Sequence, residues 1–157
     1  MAQAPAAFED EFVAGLTELF EEKIPFNRVM GLKVSSVGPT RSSGRLVMHG
    51  DLVGHHAYNR LHGGVIGACM DAIGCMAVLA ALGARHMDEP PAQRLARFAR
   101  LGTIDLRIDY LRPAIAPQFD IPAQVVRLGS RVATTRMEFL AADGTPLALG
   151  TGVYVVS

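Results

Sequence analysis

The feature that most constrains this chain is an apolar run of eighteen residues, Val65–Leu82, whose single ionisable side chain other than cysteine is Asp71. A run this long without proline exceeds the usual strand and predicts a helix buried nearly all round. An unpaired carboxylate in such a helix is costly, so Asp71 needs a partner or a chemical task. The run is entered through His62-Gly63-Gly64. The first N–H groups of a helix have no intrahelical acceptor, and glycine places no side chain between them and a ligand. Such a turn suits a developing negative charge.

Gly63 and Asp71 are eight residues apart, which along a helix is roughly 12 Å. A carboxylate that activates water works at about 3 Å from it, and oxyanion donors need similar reach on the other side of the carbonyl. One chain therefore cannot bring both groups to one reacting atom. Two copies with antiparallel helices about a two-fold axis set the Gly63 end of one against Asp71 of the other, creating two equivalent sites. At least a homodimer with shared sites is expected.

With 157 residues, half of them apolar, the chain suits one domain with a core that needs no disulfide or metal staple. Fifteen basic and fifteen acidic residues cancel, which argues against nucleic acid or an anionic membrane as partner. Cys69 and Cys75 lie in one helix and read as reduced structural thiols. Together with a first stretch lacking the basic start and apolar run of a signal peptide, they predict a cytoplasmic protein. The apolar run is long enough to span a bilayer, but Gly67, Gly74, a central Asp71 and the strand-like remainder favour a core helix and no membrane.

Along the chain, Phe12, Leu16, Leu19 and Phe20 mark Phe8–Lys23 as an amphipathic opening helix that ends before Pro25. A short turn or helical piece at Phe26–Gly31 precedes strands at Leu32–Val37 and Gly44–His49, and His49–Leu61 reads as irregular. The central helix runs from about Gly63 to Ala84, and Arg85–Leu101 is a charged excursion ending in a short basic helix. From Gly102 the period becomes two, with Ile104, Leu106, Ile108 and Tyr110 on one face and Asp105, Arg107 and Asp109 on the other. Hairpins join Phe119–Arg127 to Val132–Leu140 and, through Asp143-Gly144, to Pro146–Val156. The fold class is α+β, an antiparallel sheet curled around one long helix. Residues 1–25 form an appended amphipathic helix and 26–157 the single domain.

His62-Gly63-Gly64, Asp71 and Gly102-Thr103-Ile104-Asp105-Leu106-Arg107-Ile108-Asp109-Tyr110-Leu111-Arg112-Pro113 together resemble the hotdog-fold acyl-CoA thioesterases of the PaaI-like group, its YigI branch most, over roughly residues 26–156. The resemblance implies a hotdog fold, a dimer sharing one sheet or a dimer of dimers, and hydrolysis of acyl-CoA without metal or organic cofactor. It gives Gly63 N–H, with Gly64 N–H beside it, as donors to the thioester carbonyl, Asp71 as general base or nucleophile, and His62 as the motif histidine. Relatives often carry an asparagine six or seven residues before that histidine. Here His55 and His56 stand there and Asn59 lies three before, so any of the three serves the leaving group or water. Thr103 matches a position where some relatives place Ser or Thr near the water, although strict alternation turns it away from the helix with Asp105. Loops of relatives near the coenzyme map to Gly129 and Ser130.

Small residues Gly67, Ala68, Ala72 and Gly74 leave an apolar slot for the acyl chain. Phosphates of CoA call for cations, and Arg112, Arg127, Arg131 and the Arg94, Arg97, Arg100 series are candidates, because guanidinium binds phosphate bidentately. The series also fits a solvated helix face. His62 either caps the helix or touches substrate. His55, His56 and His62 do not form a metal set, since adjacent histidines point apart and no familiar ligand spacing completes them. Two further readings use the same fold: a hydroxyacyl-thioester dehydratase and a non-catalytic acyl-CoA-binding module.

Overall fold

The apolar run forms α3 (Gly63–Arg85), around which the sheet curls. In the computed structural model, residues 8–157 are described. The six main strands are β1 (Lys33–Ser36), β2 (Arg41–Val47), β5 (Gly102–Tyr110), β6 (Gln118–Leu128), β7 (Val132–Ala141) and β8 (Pro146–Val155). They lie in the order β1-β2-β6-β7-β8-β5, every pair antiparallel. Alternation decides the faces: Ala133, Thr135, Met137 and Phe139 of β7 are buried while Arg136 and Glu138 are exposed. Gly150 in β8 lets α3 approach the sheet, because a Cβ there would stand 2.7 Å from Met70 Cε. α3 is long and apolar enough to cross a membrane, yet 72% of its most apolar stretch is buried within this chain.

The segment predicted as irregular, 49–61, holds a minimal hairpin of β3 (Val53–His55) and β4 (Arg60–Leu61). The opening helix expected over Phe8–Lys23 is α1 (Asp10–Glu18) running on into a π-turn (Leu19–Lys23), and the short piece expected at Phe26–Gly31 is the helix α2 (Pro25–Met30). Proline at the first position of α2 starts a new helix because its missing N–H is not needed there. Phe12, Leu16 and Phe20 are buried as the spacing predicts. Gly31 closes α2 with φ 73°, a left-handed cap that favours glycine.

Two expectations are corrected. Arg94, on α4 (Pro91–Ala96), is fully buried, with its guanidinium 4.6 Å from the centroid of Phe12 and 2.5 Å from the Glu9 carboxylate. Arg97 pairs with Glu89. Arg94 thus clasps the N-terminal segment and is not a solvated face, while Arg97 is held by Glu89 within the excursion itself. The second correction concerns β5, whose register with β8 slips between Thr103 and Asp105. Ile104 is the extra residue of this bulge and is 59% exposed.

Candidate functional site

α3 presents two separate chemical surfaces. At its start, His62 sits in extended backbone (φ −65°, ψ 132°) and its Nδ1 accepts from Gly64 N–H at 2.8 Å, so the motif histidine is an N-cap. Gly64 N–H is therefore engaged, which corrects the expectation of a second open donor. Gly63 N–H has no acceptor among the described residues, and its carbonyl accepts from Tyr110 Oη at 2.8 Å. Beside it lies a groove of about 550 Å³, lined by Arg60, Gly63, Gly64, Tyr110 and Arg112 among others. Two cations and no carboxylate line it. Arg112 also donates to the Pro146 carbonyl at 2.8 Å, which fixes its guanidinium near the groove.

Asp71, two turns along, faces a different cavity of about 310 Å³, lined by Phe20, Ile24, Phe26, Ala68, Ala72, Cys75, Phe98 and Leu101, with Asn27 and Thr103 as further polar lining. Thr103 Oγ1 donates to Asp71 Oδ1 at 2.8 Å. The bulge at Ile104 makes this contact, since one extra residue inverts the phase of the strand and turns Thr103 toward α3. The expectation that Thr103 points away is overturned. Tyr154, buried in β8, donates its hydroxyl to the Asp71 backbone carbonyl at 3.2 Å. Burial, and then the Asp71 charge, hold the Tyr154 phenol far above its usual range. Burial and the same charge push the Cys75 thiol up to about 12, and burial does the same to Cys69, so both are protonated at neutral pH.

The predicted slot is only half there. Gly74 is filled, because Tyr154 Oη and Met137 Sδ occupy the space a Cβ would take, and Gly67 packs against Ile108 Cδ1. Ala68 and Ala72 line the cavity, but on the side facing the N-terminal segment. His55 and His56 stack with centroids 5.8 Å apart and planes 13° apart, which corrects the expectation that they point apart. His55 Nδ1 is buried and has no hydrogen-bond partner among the described residues. Asn59 adopts left-handed backbone, φ 47°, which asparagine tolerates. None of these three lines the Gly63 groove or the Asp71 cavity. Among the described residues no cluster suits a metal ion.

Of the predicted phosphate ligands, only Arg112 adjoins Gly63. The hairpin bearing Arg127, Gly129, Ser130 and Arg131 is tied to the other end of α3, where Arg85 donates to the Leu128 and Gly129 carbonyls at 2.6 and 3.2 Å. Arg85 is 22 residues from Gly63, roughly 33 Å along the helix. Residues the sequence reading missed are Arg60, Tyr154 and the aromatic pair Phe20 and Phe98; Tyr110 was assigned to a face without a role. An inward tyrosine in an otherwise aliphatic strand was the one signal available for Tyr154.

A sheet curled around a single helix, with an open N–H at the helix start and a held carboxylate along it, defines the hotdog class. The family model of the thioesterase superfamily matches residues 58–148. The medium/long-chain acyl-CoA thioesterase YigI of Salmonella typhimurium is 33% identical over 141 residues, covering 88% of this chain and 90% of that one. A thioesterase-superfamily protein of Shewanella oneidensis superposes with TM-score 0.86 at 33% identity, over 96% of this chain and all of the other. A variant of the phenylacetic acid degradation protein PaaI of Thermus thermophilus gives 0.66 at 27% identity, over 85% of this chain and 99% of that one. The chain belongs to this superfamily of thioester hydrolases.

Proposed function

We propose that this chain hydrolyses medium- or long-chain acyl-CoA at two equivalent sites of a homodimer or dimer of dimers, each site combining Gly63 of one copy with Asp71 of another. The observation that carries the reading is that Gly63 and Asp71 open into different cavities of one chain, each holding half of what thioester hydrolysis requires. The acyl-CoA thioesterase activity named for the YigI relatives supports the substrate class.

In this scheme the thioester carbonyl oxygen takes the Gly63 N–H, and charge builds there at the positive end of α3. Arg60 and Arg112 face the CoA phosphates. Asp71, one oxygen held by Thr103, uses the other to take a proton from water as it attacks, or itself attacks the carbonyl carbon to form a mixed anhydride that water then cleaves. Either route consumes one water and yields a carboxylic acid and the CoA thiol, with no metal or organic cofactor. We read residues 26–157 as the thioesterase domain and 1–25 as a segment appended to it, of which 8–25 pack on the domain and 1–7 lie outside the described residues. Burial of α3 and the free thiols Cys69 and Cys75 support a soluble, cytoplasmic protein.

Thiol release from a panel of aliphatic and aryl acyl-CoAs, by wild type and Asp71→Asn, tests this. Turnover is expected to fall at least about a hundredfold with the oligomer intact by sedimentation. Unchanged turnover overturns the role of Asp71, and a fully active monomer overturns the shared site. Running the reaction in labelled water under single-turnover conditions separates the two routes by where the oxygen lands.

A further inference from the structure

One side of the Asp71 cavity is built by residues that precede the family-matched region. Phe20, Ile24 and Phe26 line it, and the match begins at residue 58. Opposite them α3 offers, beside Asp71, only the small side chains of Ala68, Ala72 and Cys75. Phe20 is 1% exposed and meets Phe98 edge to face, with centroids 5.6 Å apart and planes at 76°. Asn27, itself buried, donates to the Phe20 carbonyl at 2.9 Å and so pins the π-turn that presents the ring. The Arg94–Glu9 clasp and the packing of Phe12 against Gly83 fasten the same segment to α4 and the end of α3. This wall is therefore anchored at several points. Away from Asp71, Thr103 and Asn27 its lining side chains are apolar. The volume of about 310 Å³ has room for several methylene groups of an acyl chain.

We infer that the Phe20–Phe98 pair, one ring from the N-terminal segment ahead of the matched region and one from within it, gauges acyl length and so sets which thioesters this enzyme accepts. The inference rests on the reading of the chain as an acyl-CoA thioesterase with Asp71 at the reacting end of this cavity. Removing a ring from the wall lengthens the preferred chain; filling the cavity from the α3 side shortens it.

The test is kcat/KM across saturated acyl-CoAs of increasing length for wild type, Phe98→Ala and Ala72→Leu. Phe98 is only partly buried, and Ala72→Leu adds a side chain where Phe98→Ala removes one, so the two variants do not share a folding liability. Expected is an optimum displaced to longer chains in the first and to shorter chains in the second. Each methylene newly accommodated or excluded changes kcat/KM roughly fourfold. Calorimetric binding of free saturated fatty acids to the same proteins separates the possible failures. If lengths shift in binding while the wild type hydrolyses no acyl-CoA, the gauge stands and hydrolysis falls. If neither variant moves the length profile in binding or turnover while both melt as cooperatively as wild type, the gauge is overturned.

Discussion

Thr103 and Asp71 are 32 residues apart in the chain and 2.8 Å apart in space. The hydroxyl engages Asp71 Oδ1, the only side-chain hydrogen bond to this carboxylate among the described residues, and Asp71 lines the cavity. That contact gives Asp71 one orientation in an apolar setting, where a freely rotating carboxylate would present either oxygen.

Removing the hydroxyl without changing shape isolates this contact. Thr103→Val is expected to lower kcat by about ten- to a hundredfold, the range for a hydrogen bond to a charged group, with KM little changed. Thr103→Ser is expected to restore most of it. Steady-state kinetics of the two variants decide the matter, and equal rates for Val and Ser would remove Thr103 from the mechanism.

Gly63 is the first residue of α3, a position where proline is well tolerated because its missing N–H has no helical partner. His62, at φ −65° and ψ 132°, already has the backbone a following proline requires. Gly63→Pro is therefore expected to delete the proposed oxyanion donor and spare the helix. Turnover is expected to drop by about 10²–10³ while circular dichroism and the melting temperature stay near wild type. A fully active Gly63→Pro enzyme would show that the donor lies elsewhere.

Gly74 faces a hydroxyl and a sulfur with no room for a methyl group. Gly74→Ala, which by helix propensity alone would stabilise α3, is expected to destabilise the fold by about 1–3 kcal/mol through overpacking. Urea denaturation measures this directly; a gain in stability would mean that Tyr154 and Met137 yield easily.

The hydrogen bond from Arg94 holds the Glu9 carboxyl below its ordinary value of 4.5. The folded state thus binds this proton more weakly than the unfolded chain does. The stability it contributes is complete above the unfolded value and is lost as pH falls through the lower folded one. Glu9→Gln is expected to melt below wild type at neutral pH and to converge with it in acid beneath 4.5. Melting curves across that range check the sign, and a gap that persists in acid would place the clasp in something other than this charge.

Much of the fold was legible because its signals are periodic. The α3 run, the hairpins around Gly129 and Gly144 and the buried face of α1 all follow from spacing and turn residues. The phase of β5 was not, since the extra residue at Ile104 is decided by pairing with Tyr154 and Val153 of β8, a long-range event that leaves no local mark. Arg94 was misread for a similar reason. Its three-residue spacing with Arg97 and Arg100 suits a solvated helix, but its partner Glu9 is 85 residues away. At the site, the His62-Gly63-Gly64 turn and Asp71 stood out because each breaks a pattern, an open glycine entry and a lone charge. Tyr154 and Phe98 look like ordinary core aromatics until the neighbours they fill against are known.

The distance along α3 between Gly63 and Asp71 makes the two halves of the proposed site separable by inheritance. A chain carrying Asp71→Asn keeps a working glycine, and a chain carrying Gly63→Pro keeps a working carboxylate. In the proposed homodimer each is expected to be inactive by itself, whereas a mixed dimer of the two would contain one site with both lesions and one with neither. Co-expressed, two dead alleles would complement each other, and the activity recovered would count the hybrids.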